Sequence, residues 1–316
     1  MKLKYSNLGK TDIVVSELGF GSLTMGPLQK NMSLEQGAGL LRYALDKGIN
    51  FIDTAELYEV YPYILEACGA NSKVVVSSKS YAYTYEGMRD SVQYALDSLK
   101  RSYIDVFSLH EQTSRLTLKG HEEAIRYLQD AKRLGLIRAV GVSTHTVEVV
   151  RSAAMRDDID VIHPIINMQG LGIIDGTVAD MLEAIKFAHY MGKGMYAMKI
   201  LAGGHLSSLP VEAIEWIRSI PEISSSVIGM QNTDEVDINM ACFTGDEIPS
   251  EQLGRIVRQV RNISVEDCCV GCGRCIAACN FGCIELVDGK ANIDRDSCVR
   301  CAYCVRACPQ FSIKVF

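Results

Sequence analysis

The sequence predicts an α/β chain, a closed (β/α)8 TIM barrel followed by a small α+β domain. Three observations predict it. From about Ser16 to Met230, short Val- and Ile-rich runs alternate with longer amphipathic segments, the pattern of βα units repeated around a parallel sheet. These runs number eight. The last fifty or so residues change character and hold ten of the chain's twelve cysteines, eight of them in two regularly spaced runs. A chain of 316 residues suits this plan, because an α/β barrel uses about 250 and leaves room for an appendage.

Taken in order, the candidate strands are SELGF, NFIDT, KVVVSSK, IDVFSLH, IRAVGVS, VIHPIIN, GMYAMKI and SSSVIGM. Helical patterns separate them. In SLEQGAGLLRYALDKG, Ser33 is placed to cap the start and Gly48 the end. A doubly wound open sheet is the alternative, and it loses ground because no G-x-G-x-x-G follows the first strand. A further helical stretch, roughly Ser250 to Asn262, leads into the cysteine-rich tail. The chain thus divides into residues 1–262 and 263–316.

The formal charge of −6 comes with no basic stripe, which argues against nucleic acid as a partner. No apolar stretch reaches the roughly 18 residues that span a bilayer, and the first residues lack the pattern of a cleaved leader. The expectation is a cytoplasmic protein that does not enter a membrane. Eight clustered cysteines in such a chain favour metal ligation over disulfides.

These cysteines form two C-x2-C-x2-C-x3-C runs, and a shift of 29 residues carries Cys269, Cys272, Cys275, Cys279 and Ile284 onto Cys298, Cys301, Cys304, Cys308 and Ile313. The tail is a duplicated half-unit. Two structural zinc sites are the alternative, but zinc ligands usually come as two separated pairs, whereas runs of four suit [4Fe-4S] cubanes. The tail resembles the bacterial-type two-cluster ferredoxins throughout. The resemblance implies that Cys269, Cys272, Cys275 and Cys308 hold one cluster, and Cys298, Cys301, Cys304 and Cys279 the other. Pro309 follows the last cysteine of the second run as in that family, while Asn280 replaces the proline of the first. Cys268 and Cys283 are spare ligands or free thiols, and Cys68 and Cys242 are core or helix residues.

Enzymatic barrels place their chemistry at the carboxyl ends of strands. Asp53, Tyr58, Lys79 and His110 stand at or just beyond three neighbouring strand ends, in NFIDTAELY, VVVSSKS and DVFSLH. This constellation, with its D-T-A-x-x-Y spacing, resembles the Asp, Tyr, Lys and His tetrad of the aldo-keto reductases. The likeness runs from GFGS to VIGM. It implies reduction of a small carbonyl, or oxidation of an alcohol, with NADP(H) or NAD(H). In that chemistry Tyr58 is the proton donor, Lys79 favours its phenolate, Asp53 keeps the lysine charged, and His110 polarises the substrate oxygen. Tyr61 and Tyr63 are the alternatives to Tyr58.

The resemblance also aligns a nicotinamide set. Ser143 matches a family Ser, Thr144 replaces an Asn, His163 aligns with a Gln, Asn167 matches a later Asn, and Met198 takes the place of a stacking Tyr. Lys199, Gly203 in LAGGH, Gly229 and Asn239 complete the candidate cofactor set. No basic residue lies between Arg218 and Arg255, where the family often holds the 2′-phosphate of NADPH. An external electron carrier is the expected partner of the clusters. The alternatives are a reductase whose clusters feed a substrate without nicotinamide, and a non-catalytic carrier or sensor. Tyr81, Tyr83, Tyr85 and the loop from Met168 to Ile174 are expected around the mouth.

Overall fold

The protein is described by a computed structural model covering residues 2–69, 73–206, 209–248, 250–257, 262–279, 281–298 and 303–315. Cys301 and Asn280 lie outside these described residues. Two short strands, β1 (Tyr5–Asn7) and β2 (Val14–Ser16), pair antiparallel ahead of the barrel. The barrel strands are β3 (Leu18–Gly21), β4 (Phe51–Asp53), β5 (Val75–Ser80), β6 (Ile104–Gln112), β7 (Ile137–Thr144), β8 (Val161–Pro164), β9 (Gly194–Ala197) and β10 (Ser225–Ile228). They close in that order, β10 pairing parallel with β3. All eight candidate strands are therefore present.

The helices between them read from local chemistry. Helix α1 (Leu34–Asp46) opens on a capping box in which Ser33 and Gln36 satisfy each other's backbone N–H. It stops where Gly48 takes φ 103°, a conformation that suits glycine. Its apolar residues Leu40, Leu41 and Ala44 face the barrel core.

The ends of the barrel are closed differently. The β1–β2 hairpin covers the amino end, where Asn50 donates to Val14 O and Ser6 to Ser224 O. Gly9 passes so close that a Cβ there would lie 2.2 Å from Gly194 N. Periodicity does not reveal this hairpin, because each strand has three residues and only β2 carries apolar ones. The carboxyl end is closed by the tail. The helices Thr233–Thr244 and Ser250–Val257 lead to it.

Strand β11 (Ile263–Val265) opens the tail and pairs antiparallel with β14 (Ile313–Val315), which ends it. Between them β12 (Ile284–Val287) and β13 (Lys290–Ile293) form a hairpin around Asp288 and Gly289, both at positive φ, as a two-residue Asp-Gly turn requires. The 29-residue repeat is visible in the backbone. The short helices Arg274–Ala277 and Tyr303–Arg306 stand one repeat apart, and β12 and β14 begin at the two repeat-related isoleucines.

Phe311 anchors this domain. It is fully buried against Gly172 and Gly203, where an added Cβ would approach its ring within 3.1 and 3.2 Å. These two glycines, at φ 88° and 62°, belong to the loops after β8 and β9. Among the described residues no helix is long and apolar enough to cross a membrane.

Truncating a buried Phe costs about 3–5 kcal/mol. Phe311→Ala is expected to raise hydrogen exchange in β11 and β14 while leaving the eight barrel strands protected. Unchanged exchange in β11 and β14 would show that the tail is held by other contacts.

Candidate active site

The buried centre of the carboxyl end is an ion pair. Lys79, on β5, is 2% exposed, and its ammonium meets Asp53 of β4 at 2.8 and 2.9 Å and Thr54 O at 2.6 Å. Register sets this up, because β4 and β5 run parallel with Asp53 opposite Ser77 and alternate residues share a face. Asp53 also accepts from Tyr196 Oη at 3.0 Å. The His163 ring stacks on Tyr196 at 3.8 Å.

Tyr58 ends a 3-10 turn, Glu56–Tyr58, just beyond β4. Its ring centre lies 5.3 Å from Lys79 Nζ and 5.7 Å from the His110 ring. The structure thus brings Asp53, Tyr58, Lys79 and His110 together. Tyr61 and Tyr63 are tied elsewhere, Tyr61 to Ser78 and Tyr63 to Met32 O.

Burial governs the protonation states. Burial and then the Asp53 carboxylate push the Tyr58 phenol well above its ordinary range. Desolvation disfavours the charged phenolate, so the phenol keeps its proton at neutral pH. Burial, helped by Lys79, brings His110 down to about 3, so its imidazole is neutral. Among the described residues His110 Nδ1 is buried with no partner.

These side chains floor a cavity of about 680 Å³, within the usual size for a small-molecule site. Ser143, His163, Met198, Lys199, Gly203, Gly229 and Asn239 of the candidate cofactor set line it. Thr144 and Asn167 turn away. Thr144 donates to Gln112 O, and Asn167 spends its amide on Leu171 and Gln169.

His163 donates from Nδ1 to Tyr196 O at 2.7 Å. Burial brings it down to about 4, leaving Nε2 a lone-pair acceptor, which fits a carboxamide N–H. The positive-φ Gly203 and the close-packed Gly229 keep backbone open along the wall.

Several lining residues carry no sequence signal as such. Lys30 and Gln29, in the loop after β3, reach the cavity. Tyr81 stacks on His110 at 4.3 Å and donates to Glu111, whereas Tyr83 and Tyr85 lie outside the lining. The tail supplies Ser264, Val265, Glu266, Asp267, Cys268 and Lys314. The loop from Met168 to Ile174 instead receives Phe311.

In the tail, Cys269, Cys272, Cys275 and Cys308 ring one small pocket. Gly271 and Gly273 fold the loop around it at positive φ, and a Cβ on Gly271 would lie 2.2 Å from Gly289 O. Ala291 N and Ser312 N point at the Cys269 and Cys308 sulfurs, at 3.4 and 3.3 Å. Among the described residues no three His, Cys, Asp or Glu side chains converge where a single ion would sit. Of the second set, Cys279 Sγ lies 3.3 Å from Cys283 Sγ. Cys298 adjoins Cys283 and Cys304 is buried.

The Aldo/keto reductase family profile matches residues 17–212, and a 4Fe-4S binding domain profile matches residues 291–314. The L-galactose dehydrogenase of Arabidopsis thaliana is 23% identical over 312 aligned residues, covering 83% of this chain and 97% of its own. The aldo-keto reductase YhdN of Bacillus subtilis is 27% identical over 163 residues, 46% of this chain and 48% of its own. Among solved structures, PA4992 of Pseudomonas aeruginosa, assigned to the aldo-keto reductases, matches with a TM-score of 0.66 at 26% identity, covering 76% of this chain and 95% of its own.

A histidine buried neutral lowers stability once the unfolded chain can take up its proton. For His163 this loss begins below the unfolded value near 6.5 and grows as pH falls to about 4, at up to about 1.4 kcal/mol per pH unit. The stability difference between wild type and His163→Gln, from denaturant melts between pH 7 and 4, is expected to tilt in the variant's favour as pH falls. A pH-independent difference would refute the buried neutral state.

Proposed function

The chain belongs to the aldo/keto reductase family, and we propose that its barrel transfers hydride between a nicotinamide dinucleotide and a small carbonyl or alcohol at Tyr58, beneath a tail that binds two [4Fe-4S] clusters. The family and the 4Fe-4S motif together make it an oxidoreductase with a ferredoxin-like element. One observation carries the finer reading. The Asp53–Lys79 pair, Tyr58 and His110 stand together on the floor of a cavity large enough for substrate and the reactive part of a dinucleotide.

The residues divide the work. Tyr58, protonated at neutral pH, gives its proton to the substrate oxygen as negative charge builds there. His110, neutral, donates an N–H that holds and polarises the same oxygen. Lys79 places a positive charge behind the phenol, stabilising the phenolate as the proton leaves, and Asp53 with Thr54 O fixes that ammonium. His163 Nε2 and Ser143 would hold the carboxamide, Met198 would pack on the ring, and Gly203, Gly229, Lys30, Gln231, Asn232 and Asn239 would accept the remainder. When bound, a nicotinamide supplies hydride and the clusters supply single electrons.

The absence of Lys and Arg between Arg218 and Arg255, with Glu235 in the lining, favours NADH over NADPH. For the tail, the ring of Cys269, Cys272, Cys275 and Cys308 supports assigning them to one cluster. Cys298, Cys301, Cys304 and Cys279 then serve the other. Such thiolates belong in a reducing compartment, the cytoplasm, with an external one-electron carrier as partner. A second reading removes nicotinamide and lets the tail deliver electrons to a substrate at Tyr58. It is favoured by Cys268, next to Cys269, lining the cavity.

Calorimetric titration of the anaerobic, cluster-loaded protein with NADH and then NADPH separates these readings. Micromolar binding is expected, tighter for NADH. No binding of either would sink the hydride mechanism. Tyr58→Phe is expected to lower carbonyl turnover by about 10²- to 10⁴-fold while leaving the cluster absorbance intact.

A further inference from the structure

The cavity holds a second group of polar residues that this chemistry leaves unused. Lys199 lies just past β9 at φ 56°, a left-handed backbone that non-glycine residues keep only where their surroundings hold it. Its ammonium stands 3.0 Å from His145 Nε2 and 4.0 Å from Glu111 Oε1. Glu111 is left-handed too, at φ 46°, and its other oxygen accepts from Tyr81 at 2.6 Å. The tail completes the group. The Phe311 ring centre lies 5.3 Å from Lys199 Nζ and 4.5 Å from Lys314 Nζ, and Lys314 pairs with Glu266 at 3.3 Å. The charged and titratable groups facing Lys199 are thus His145, Glu111, Lys314, Glu266 and Cys268, and its charge also acts on His110 and His163.

A lysine becomes a nucleophile when it is desolvated or set beside another cation. Both conditions hold here. Burial, with Lys314 behind it, brings Lys199 down to about 8, while burial holds His145 well below its ordinary value and therefore neutral. Burial works against the Glu111 charge, yet Lys199 and its other polar neighbours keep that carboxyl below the usual range.

We propose that Lys199 is a reactive amine that condenses with an aldehyde or ketone in the cavity to form a protonated imine. The amine lone pair makes the C–N bond, the carbonyl π pair moves to oxygen, and the nitrogen proton passes to that oxygen through His145. A second proton, from solvent, releases the hydroxyl as water as the nitrogen lone pair closes the C=N bond. One water leaves, and nothing is oxidised or reduced. This rests on the reading that carbonyl compounds enter the cavity, and the test separates the two.

The probe is 2,4-pentanedione, a small diketone that condenses with reactive amines to a conjugated enaminone absorbing in the near ultraviolet. The anaerobic holoprotein is expected to gain a single enaminone on the peptide carrying Lys199, forming about tenfold or more faster at pH 7 than on surface lysines. Lys199→Arg keeps the positive charge and is expected to lose the label. Lys314→Met, which removes the neighbouring cation, is expected to slow labelling several-fold below pH 8. Tyr58→Phe is expected to label at the wild-type rate despite its lost turnover. Label spread over many lysines, or undiminished in Lys199→Arg, overturns the assignment. Carbonyl turnover without a Lys199 label overturns this inference alone, and a Lys199 label without turnover overturns the hydride reading alone.

Discussion

A buried ammonium needs partners for all three of its N–H groups, and the site is built outward from how Lys79 obtains them. Asp53 supplies two acceptors and Thr54 O the third. An isolated charge at that depth would be strongly destabilising, and removing one partner of such a pair costs about 3–5 kcal/mol. Asp53 in turn collects Tyr196 Oη and approaches His163 Nε2 at 3.8 Å. Three barrel strands, β4, β5 and β9, are thereby tied together at the depth where Tyr58 and His110 look into the cavity. Burial, with the Asp53 charge behind it, explains why the phenol holds its proton.

The second constraint is closure of the mouth. A barrel open to water would screen the charges on its floor, and here the roof is the cysteine-rich tail itself. Phe311 fits only because Gly172 and Gly203 have no side chains to occupy its space. The pairing of β11 with β14 then holds residues 264–268 over the cavity. The thiols ringing the tail pocket belong to the same segment, since Cys269 directly follows the lining residue Cys268. Packing thus joins the cysteine-rich tail to the barrel cavity, so the two profiles describe parts of one architecture.

Much of this was legible in the residues. Eight Val- and Ile-rich runs became eight strands because burial on both faces of a parallel sheet demands continuous apolar runs. The four-residue site was legible because three of its members close such runs. The 29-residue repeat survived into the backbone as two short helices and two strand starts one repeat apart. Other features left no signature. The β1–β2 hairpin is too short for periodicity, Lys30 looks like any loop lysine, and nothing marks Phe311 as an anchor before Gly172 and Gly203 meet it. Thr144 and Asn167 align with cofactor contacts in sequence, yet both answer local backbone needs. Such competition between backbone and cavity is decided by tertiary packing.

Electron paramagnetic resonance of the dithionite-reduced, cluster-loaded protein, before and after saturation with a nicotinamide dinucleotide shown to bind, decides whether tail and barrel act as one site. Occupying the cavity is expected to change the cluster spectrum, in g-values or relaxation, because the loop carrying Cys268 and Cys269 forms the cavity wall. An identical spectrum with the dinucleotide fully bound would contradict this and separate the two domains functionally.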